Sequence, residues 1–183
     1  MKPAEWFFRK LFFNSRKSFL EKLKSFQFCE QVQKKTLLGL IQKARQTQFG
    51  IHHDFSQIRS ISTYQKKVSV RTYENFLDEY FKPATKKIDA SYDSAKTSPF
   101  LENITWPGLV PFYGLSSGTT SGSTKFIPLT SELLHANQKA SLDLVAFHFL
   151  KNPATKILDA KTFFLGATQR FVRNGMGELR AEI

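Results

Sequence analysis

The segment from residue 113 to residue 130 holds the residue types best suited to chemistry, because hydroxyl side chains and glycines fill it and a lysine follows them. Gly118 and Gly122 allow backbone angles closed to other residues, so successive N–H groups can turn inward as an anion-binding nest. Hydroxyls add donors, and a lysine adds a mobile positive charge. The run therefore predicts a polyphosphate cradle. The residues predicted to bind phosphate are Ser116, Ser117, Gly118, Thr119, Thr120, Ser121, Gly122, Ser123 and Thr124, and the predicted catalytic residue is Lys125.

A hairpin loop is the alternative interpretation, since Ser, Thr and Gly also cluster in turns. The length of the run and the lysine at its end favour phosphate binding. The spacing excludes a Walker A loop, which needs four residues between its glycines and a lysine directly after the second. Gly118 and Gly122 have three residues between them, and Lys125 stands three positions beyond Gly122. A G-x-G-x-x-G pattern is absent from the loop as well.

Apolar, extended segments on either side of the loop predict two strands, one over Leu109–Tyr113 and one over Phe126–Leu129. Thr130 or Ser131 is expected to cap a helix that stops at Asn152-Pro153. Residues 161–167 predict a buried strand, and the tail from Gln169 is polar and punctuated by glycine. Strand, loop, strand, helix and strand in this order predict the α/β class.

The part before the loop is predicted to be mainly helical. Ser18 and Glu21 have capping-box spacing, and a second helix is expected to end at Gly50. Thr72 is expected to cap a third helix, which ends at Pro83. The predicted segments are a helix from Ser18, a helix over 31–49, a loop over 51–55, an extended piece over 68–70, a helix with an apolar stripe over 73–81 and an exposed connection over 84–100.

The distribution of charge and the cysteine content indicate which binding functions and which cellular compartment suit the sequence. The net charge is +12, and residues 1–50 hold 11 Lys or Arg against three Glu, whereas residues 101–150 hold two Lys against three acidic residues. The basic N-terminal part is most simply a solvated face, and a module that binds nucleic acid or an anionic membrane through residues 1–50 is the alternative function. Cys29 is the single cysteine, which excludes an intramolecular disulfide and is in keeping with a reducing, cytoplasmic location.

The sequence predicts neither a transmembrane segment nor a metal site at its two adjacent histidines. No apolar run approaches the roughly 20 residues needed to span a bilayer, so no transmembrane segment is predicted. His52 and His53 are adjacent and point in different directions on most backbones, so no metal site is predicted there.

The loop resembles the ATP-phosphate loop of adenylate-forming enzymes. Its extra residue between the Thr pair and the next glycine, with Phe126-Ile127-Pro128-Leu129-Thr130 after it, is similar to the auxin-responsive acyl-acid amido synthetases (the Gretchen Hagen family) and their bacterial relatives. Thr47-Gln48-Phe49-Gly50 with His53 and Phe55, and Val68-Ser69-Val70-Arg71-Thr72-Tyr73-Glu74, also resemble that family. The resemblance covers roughly residues 30–170, and the loop is its specific part.

The resemblance implies an ATP-dependent ligase that adenylates a carboxylic acid with release of pyrophosphate, and then transfers the acyl group to an amine such as an amino acid. It implies ATP and Mg²⁺, with the loop residues holding the phosphates and Lys125 offsetting charge on the β- and γ-phosphates. No nucleic acid is expected as a partner.

Members of that family are several-fold longer than the segment that carries the loop. Residues 1–183 are therefore expected to be a truncated N-terminal adenylation domain, with a helical lead-in over 1–60 and an α/β portion over 107–183. The C-terminal part of the same enzyme is expected to complete the acyl pocket and the amine site, so this fragment alone is expected to be inactive.

Overall fold

The computed structural model describes residues 16–88, 90–91, 93, 98–116, 125–152, 154–155, 161, 170–173 and 179–182, the last two ranges by their backbone. These residues belong to two compact units. One unit comprises residues 1–33 and 132–166, and the other comprises residues 34–131 and 167–183. The elements are α1 (16–22), α2 (Phe26–Ala44), α3 (Gln48–His52), a 3₁₀ turn (Phe55–Gln57), α4 (Ile61–Lys67), α5 (Tyr73–Phe76), a π turn (Leu77–Phe81), α6 (Lys82–Lys86), β1 (Phe112–Ser116), β2 (Lys125–Leu129), α7 (Ser131–Lys151), β3 (Arg170–Arg173) and β4 (Leu179–Glu182).

The regular elements described in the unit formed by residues 1–33 and 132–166 are helices. Arg16 pairs with Asp143 of α7 at 3.2 Å. Phe19 meets Phe28 edge to face, with ring centroids 6.1 Å apart. The predicted helix after Thr130 is confirmed, because α7 runs from Ser131 to Lys151 and stops before Asn152.

The second unit contains a four-stranded sheet with the order β2-β1-β4-β3. β1 and β2 form an antiparallel hairpin, β4 pairs with β1 in parallel, and β3 pairs with β4 in antiparallel. Helices together with this mixed sheet confirm the α/β class. The two strands predicted on either side of the Ser/Thr/Gly loop are confirmed as β1 and β2, with β1 beginning three residues later than predicted.

The tail from Gln169 was described from the sequence only as polar and punctuated by glycine, and two strands there were missed. The tail contributes β3 and β4, which pair with each other, and β4 also pairs with β1. A strand stabilised by a distant partner needs little local signal, because sheet pairing is a tertiary interaction. The strand predicted over 161–167 lies outside the described residues, apart from Lys161.

The predicted helix over 31–49 is interrupted. α2 ends at Ala44, and α3 starts after Thr47, whose hydroxyl donates to the Ala44 carbonyl at 2.7 Å and accepts from the Gly50 N–H at 3.0 Å. Gly50 therefore lies inside α3 and does not terminate α2. A glycine is needed there because an added Cβ would lie 2.1 Å from the Ala44 carbonyl oxygen. The loop predicted over 51–55 is likewise partly helical, through the end of α3 and the start of the 3₁₀ turn.

Pro83 does not end the third predicted helix. α5, the π turn and α6 follow one another without a break, and Pro83 lies in the first turn of α6. The Lys82 N–H donates to the Leu77 carbonyl five residues back, which widens the turn before the proline. Inside a continuous helix a proline removes one backbone hydrogen bond and its ring crowds the preceding turn, and the π turn before Pro83 is the local change of helix type that accompanies it. The predicted connection over 84–100 is thus helical at its start, and Thr85 is buried with its hydroxyl 2.7 Å from the Phe100 N–H.

The core of the second unit is aromatic. Phe49 is its centre, with Phe55, Phe76 and Tyr80 rings at centroid distances of 5.7, 5.4 and 5.4 Å. Rings in such arrangements contribute beyond the area they bury. Tyr113 of β1 and Phe126 of β2 belong to the same buried cluster, so the hairpin is anchored on the core. By contrast, Val70 of the segment predicted to be extended is fully exposed and lies in no strand.

Candidate functional site

The hairpin places the ends of the Ser/Thr/Gly loop opposite each other. Ser116 is the last residue of β1, Lys125 is the first residue of β2, and the two are cross-strand partners. Side chains of directly opposed residues project from the same face of a sheet, so the Ser116 hydroxyl and the Lys125 side chain lie on one face. The other predicted phosphate-binding residues, Ser117, Gly118, Thr119, Thr120, Ser121, Gly122, Ser123 and Thr124, lie outside the described residues.

Lys125 is held by two neighbouring residues at the start of α5. Its Nζ lies 2.8 Å from a carboxylate oxygen of Glu74 and 5.4 Å from the centre of the Tyr73 ring. A cation over an aromatic face is attracted by the ring quadrupole. The lysine side chain is 28% exposed and that of Glu74 is 56% exposed, so the ion pair lies at the surface and in contact with water.

Tyr73 also contacts the backbone of β2. Its hydroxyl accepts the Phe126 N–H at 3.0 Å, and this N–H therefore points away from β1. β2 is the edge of the four-stranded sheet, where N–H groups on the outer side have no strand partner. Tyr73 satisfies one of them, and so fixes the start of β2 against α5.

The local sequence explains why α5 begins at this point. Thr72 has an extended backbone, and its hydroxyl accepts the Asn75 N–H. The Asn75 side chain accepts the Thr72 N–H in return at 2.9 Å, which completes a capping box. The predicted cap at Thr72 is confirmed. Because the first helical residues are held by this box, Tyr73 and Glu74 leave the helix start in defined directions.

The ion pair changes the titration of Glu74. The hydrogen bond from Lys125 is the largest cause that lowers the pKa of this carboxyl from 4.5 to about 2. Burial raises the pKa of the Tyr73 phenol above its ordinary value, so this hydroxyl stays protonated at neutral pH. The site at neutral pH therefore holds an ammonium, a carboxylate and a neutral phenol.

A second polar cluster lies around Arg71, within the same unit. Its guanidinium pairs with Glu79, lies 3.3 Å from His53 Nε2 and faces the Tyr80 ring at 5.9 Å. His53 Nδ1 lies 2.9 Å from the Phe49 carbonyl, so the neutral ring donates through Nδ1 and accepts at Nε2. This cluster braces α3 against the helix over 73–86. His52 contacts Tyr80 instead, and no group of three His, Cys, Asp or Glu side chains gathers as a metal site within the described ranges.

Comparison with known families identifies the chain. The GH3 family N-terminal domain matches residues 17–171. The chain belongs to the GH3 family. The matched range includes the hairpin, the loop between its strands, and the start of α5 that holds Lys125. A search of curated proteins found no match, and none of the helices in the described part of the chain has the length and apolar character needed to cross a membrane.

Sequence reasoning found Lys125 and the strands around the loop, but it missed the partners of the lysine. Tyr73 and Glu74 were recognised only as the start of a helix, and their segment only as a weak part of the family resemblance. Tyr73 and Phe126 are 53 positions apart in the chain, and no local pattern links them. Several lysines of this chain have an acidic side chain within reach, so charge alone does not single out Glu74 as the partner of Lys125.

Proposed function

We propose that this GH3 domain is the phosphate-binding N-terminal part of an ATP-dependent acyl-acid amido synthetase, of the adenylate-forming superfamily and of the bacterial type. The proposed reaction joins a carboxylic acid to AMP with release of pyrophosphate. An amine such as an amino acid then takes the acyl group and releases AMP. The observation that carries the proposal is the family match across a hairpin whose loop ends at a structurally held lysine.

Ser116 and Lys125 form the mouth of the hairpin, where its loop begins and ends, and their side chains are suited to binding a polyphosphate. Ser116 offers a hydroxyl, and Lys125 offers an ammonium on the same face. The Lys125 Nζ lies 5.4 Å from the centre of the Tyr73 ring, and the lysine side chain is partly exposed to water. A partly exposed cation can exchange its carboxylate for a phosphate at small cost, because surface ion pairs contribute little. The donor set therefore suits a polyanion.

ATP would supply the activated phosphoryl group on which the acid reacts. Ser116, Ser117, Gly118, Thr119, Thr120, Ser121, Gly122, Ser123 and Thr124 would hold its phosphates through hydroxyls and backbone N–H groups. Lys125 would offset charge near the β- and γ-phosphates, as preorganised cations do in such transfers. Mg²⁺ would accompany the nucleotide, since this ion usually binds through substrate phosphates. Small carboxylic acids and amines are the proposed substrates.

The proposal is tested by calorimetric titration of Mg·ATP into the protein and into Lys125→Ala. A charge-assisted hydrogen bond contributes about 1.5–3 kcal/mol, so Kd should rise by roughly tenfold or more. Lys67→Ala is a matched control, because Lys67 also pairs with a carboxylate, Asp54, at 2.8 Å and is 35% exposed. Its affinity for Mg·ATP should stay close to that of the wild type. Equal affinities for the wild type and Lys125→Ala would remove the proposed role of the lysine.

The acid-activating step has its own assay. ATP–pyrophosphate exchange, measured with a panel of carboxylic acids in the protein that contains this domain, should depend on one class of acid. Exchange that is absent with every acid would refute the proposed reaction, even if Mg·ATP binds.

A further inference from the structure

In the part of the chain that the structure describes, Glu74 is the anionic group that contacts Lys125. Its carboxylate lies 2.8 Å from Nζ and is the more exposed partner of the pair. The Tyr73 ring approaches the same ammonium from a second direction, at 5.4 Å. Lys125 is therefore held by an ion pair with the Glu74 carboxylate and by a contact with the uncharged Tyr73 ring.

We propose that Glu74 is the resting counter-ion of Lys125 and competes with the substrate's phosphates for it. This inference rests on the proposed function. Phosphate binding would displace the carboxylate from the ammonium and leave it its hydrogen bonds to its own backbone N–H and to Thr72, while the Tyr73 ring would keep the ammonium near the mouth of the hairpin. Glu74 thus acts as a positioning residue that sets how readily Lys125 accepts an anion.

The exposure of the Lys125–Glu74 ion pair favours replacement of the carboxylate by a phosphate over a permanent pair. Exposed ion pairs gain little, because water and salt screen the charges and two long side chains must be ordered. A polyphosphate carries several negative charges and several acceptor oxygens, so it attracts the same ammonium more strongly than one carboxylate does. The aromatic contact is compatible with either partner, since it uses the face of the ring.

A purely structural role for Glu74 makes a different prediction. An acidic residue in the first turn of a helix is stabilising through the helix dipole, and Glu74 stands in the first turn of α5. In that case its replacement would lower stability and leave anion binding unchanged. The capping box of α5 is formed by Thr72 and Asn75, and Glu74→Gln keeps an acceptor oxygen for the hydrogen bond with the Thr72 hydroxyl.

The test is calorimetric titration of inorganic tripolyphosphate at neutral pH and low salt into the wild type, Glu74→Gln, Lys125→Ala and the double variant. Loss of the competing carboxylate should tighten binding about two- to fivefold, in line with the size of exposed charge interactions. The gain should vanish in the Lys125→Ala background, because the competition acts through the lysine. Asp54→Asn, which opens the matched pair with Lys67, should leave the affinity unchanged.

The outcomes separate this inference from the proposed function. Tighter binding by Glu74→Gln, or binding by that variant alone, supports the inference. Binding by the wild type with no gain in Glu74→Gln, or an equal gain without Lys125, overturns the inference and leaves the phosphate site in place. Absence of binding in every variant overturns both.

Discussion

Replacement of Tyr73 by Phe tests whether α5 fixes the start of β2. The substitution removes one oxygen, the acceptor of the Phe126 N–H at 3.0 Å, and it keeps the ring. Phe126 is only 2% exposed, but Tyr73 itself is half-buried, so water can replace part of the lost hydrogen bond. A net loss of about 1 kcal/mol is therefore expected, within the usual range for one hydrogen bond.

Amide hydrogen exchange read by NMR resolves this effect at one residue. A loss of about 1 kcal/mol corresponds to roughly fivefold faster exchange of the Phe126 N–H where it exchanges by local opening. The N–H of Leu129, at the other end of β2, serves as an internal reference. The midpoint of thermal unfolding should fall by about 2–4 °C, as expected for this loss in a protein of this size.

Tyr80→Phe is the matched control. Its hydroxyl contacts His52 Nδ1 at 3.3 Å and is not a partner of β2. In this variant the exchange rate of the Phe126 N–H should change no more than the rates of the neighbouring amides do. If Tyr73→Phe leaves the exchange of Phe126 equal to that of Leu129, relative to the wild type, the hydrogen bond does not hold the strand and the reasoning is refuted.

Two further predictions concern the α2–α3 junction and the ion pair. Gly50→Ala should destabilise the protein by about 1–3 kcal/mol in urea unfolding, because its Cβ would lie 2.1 Å from the Ala44 carbonyl oxygen. Gly39→Ala, where nothing lies within 4 Å of the added Cβ, should instead stabilise α2 by about 0.5–1 kcal/mol, and equal effects would contradict this account. The Glu74 carboxyl should titrate in NMR with a pKa of about 2 and return toward 4.5 in Lys125→Ala. Because its folded pKa is the lower one, its contribution to stability is present above pH 4.5 and is lost as the pH falls toward 2; an unshifted pKa in the wild type would show that the pair does not form.

The elements that the sequence predicted well carry local signals. β2 and α7 follow directly on one another, with a hydroxyl residue before the helix and Asn152-Pro153 after it. Helix capping and the missing N–H of a proline act within a few residues. Helix ends that depend on them can therefore be predicted from the local sequence. The hairpin is of this kind too, since apolar extended segments stand on either side of one loop.

Most of the missed elements depend on contacts between distant residues. Gly50 looks like a helix terminator, yet its role comes from close approach to Ala44, which only the folded backbone reveals. Pro83 was predicted to end its helix, but the helix continues through the π turn into α6. β4 pairs with β1, which lies far earlier in the chain, and β3 pairs with β4. For Gly50 and β4 a contact made only in the folded chain outweighs the local preference, whereas at Pro83 a local change of helix type does so.

Tyr73 and Glu74, at the start of α5, hold Lys125 in different ways. Tyr73 acts on the backbone of β2 through the Phe126 N–H, and it supports the lysine through a ring that Phe also provides. Glu74 acts on the charge, through the ammonium. Geometry and electrostatics at the mouth of the hairpin are therefore separable by single substitutions. Tyr73→Phe should speed exchange at Phe126 with little effect on phosphate affinity, and Glu74→Gln should change phosphate affinity with little effect on that exchange. A variant that moved both properties together would mean that the lysine and the strand respond as one unit, and that the charge cannot be exchanged without displacing β2.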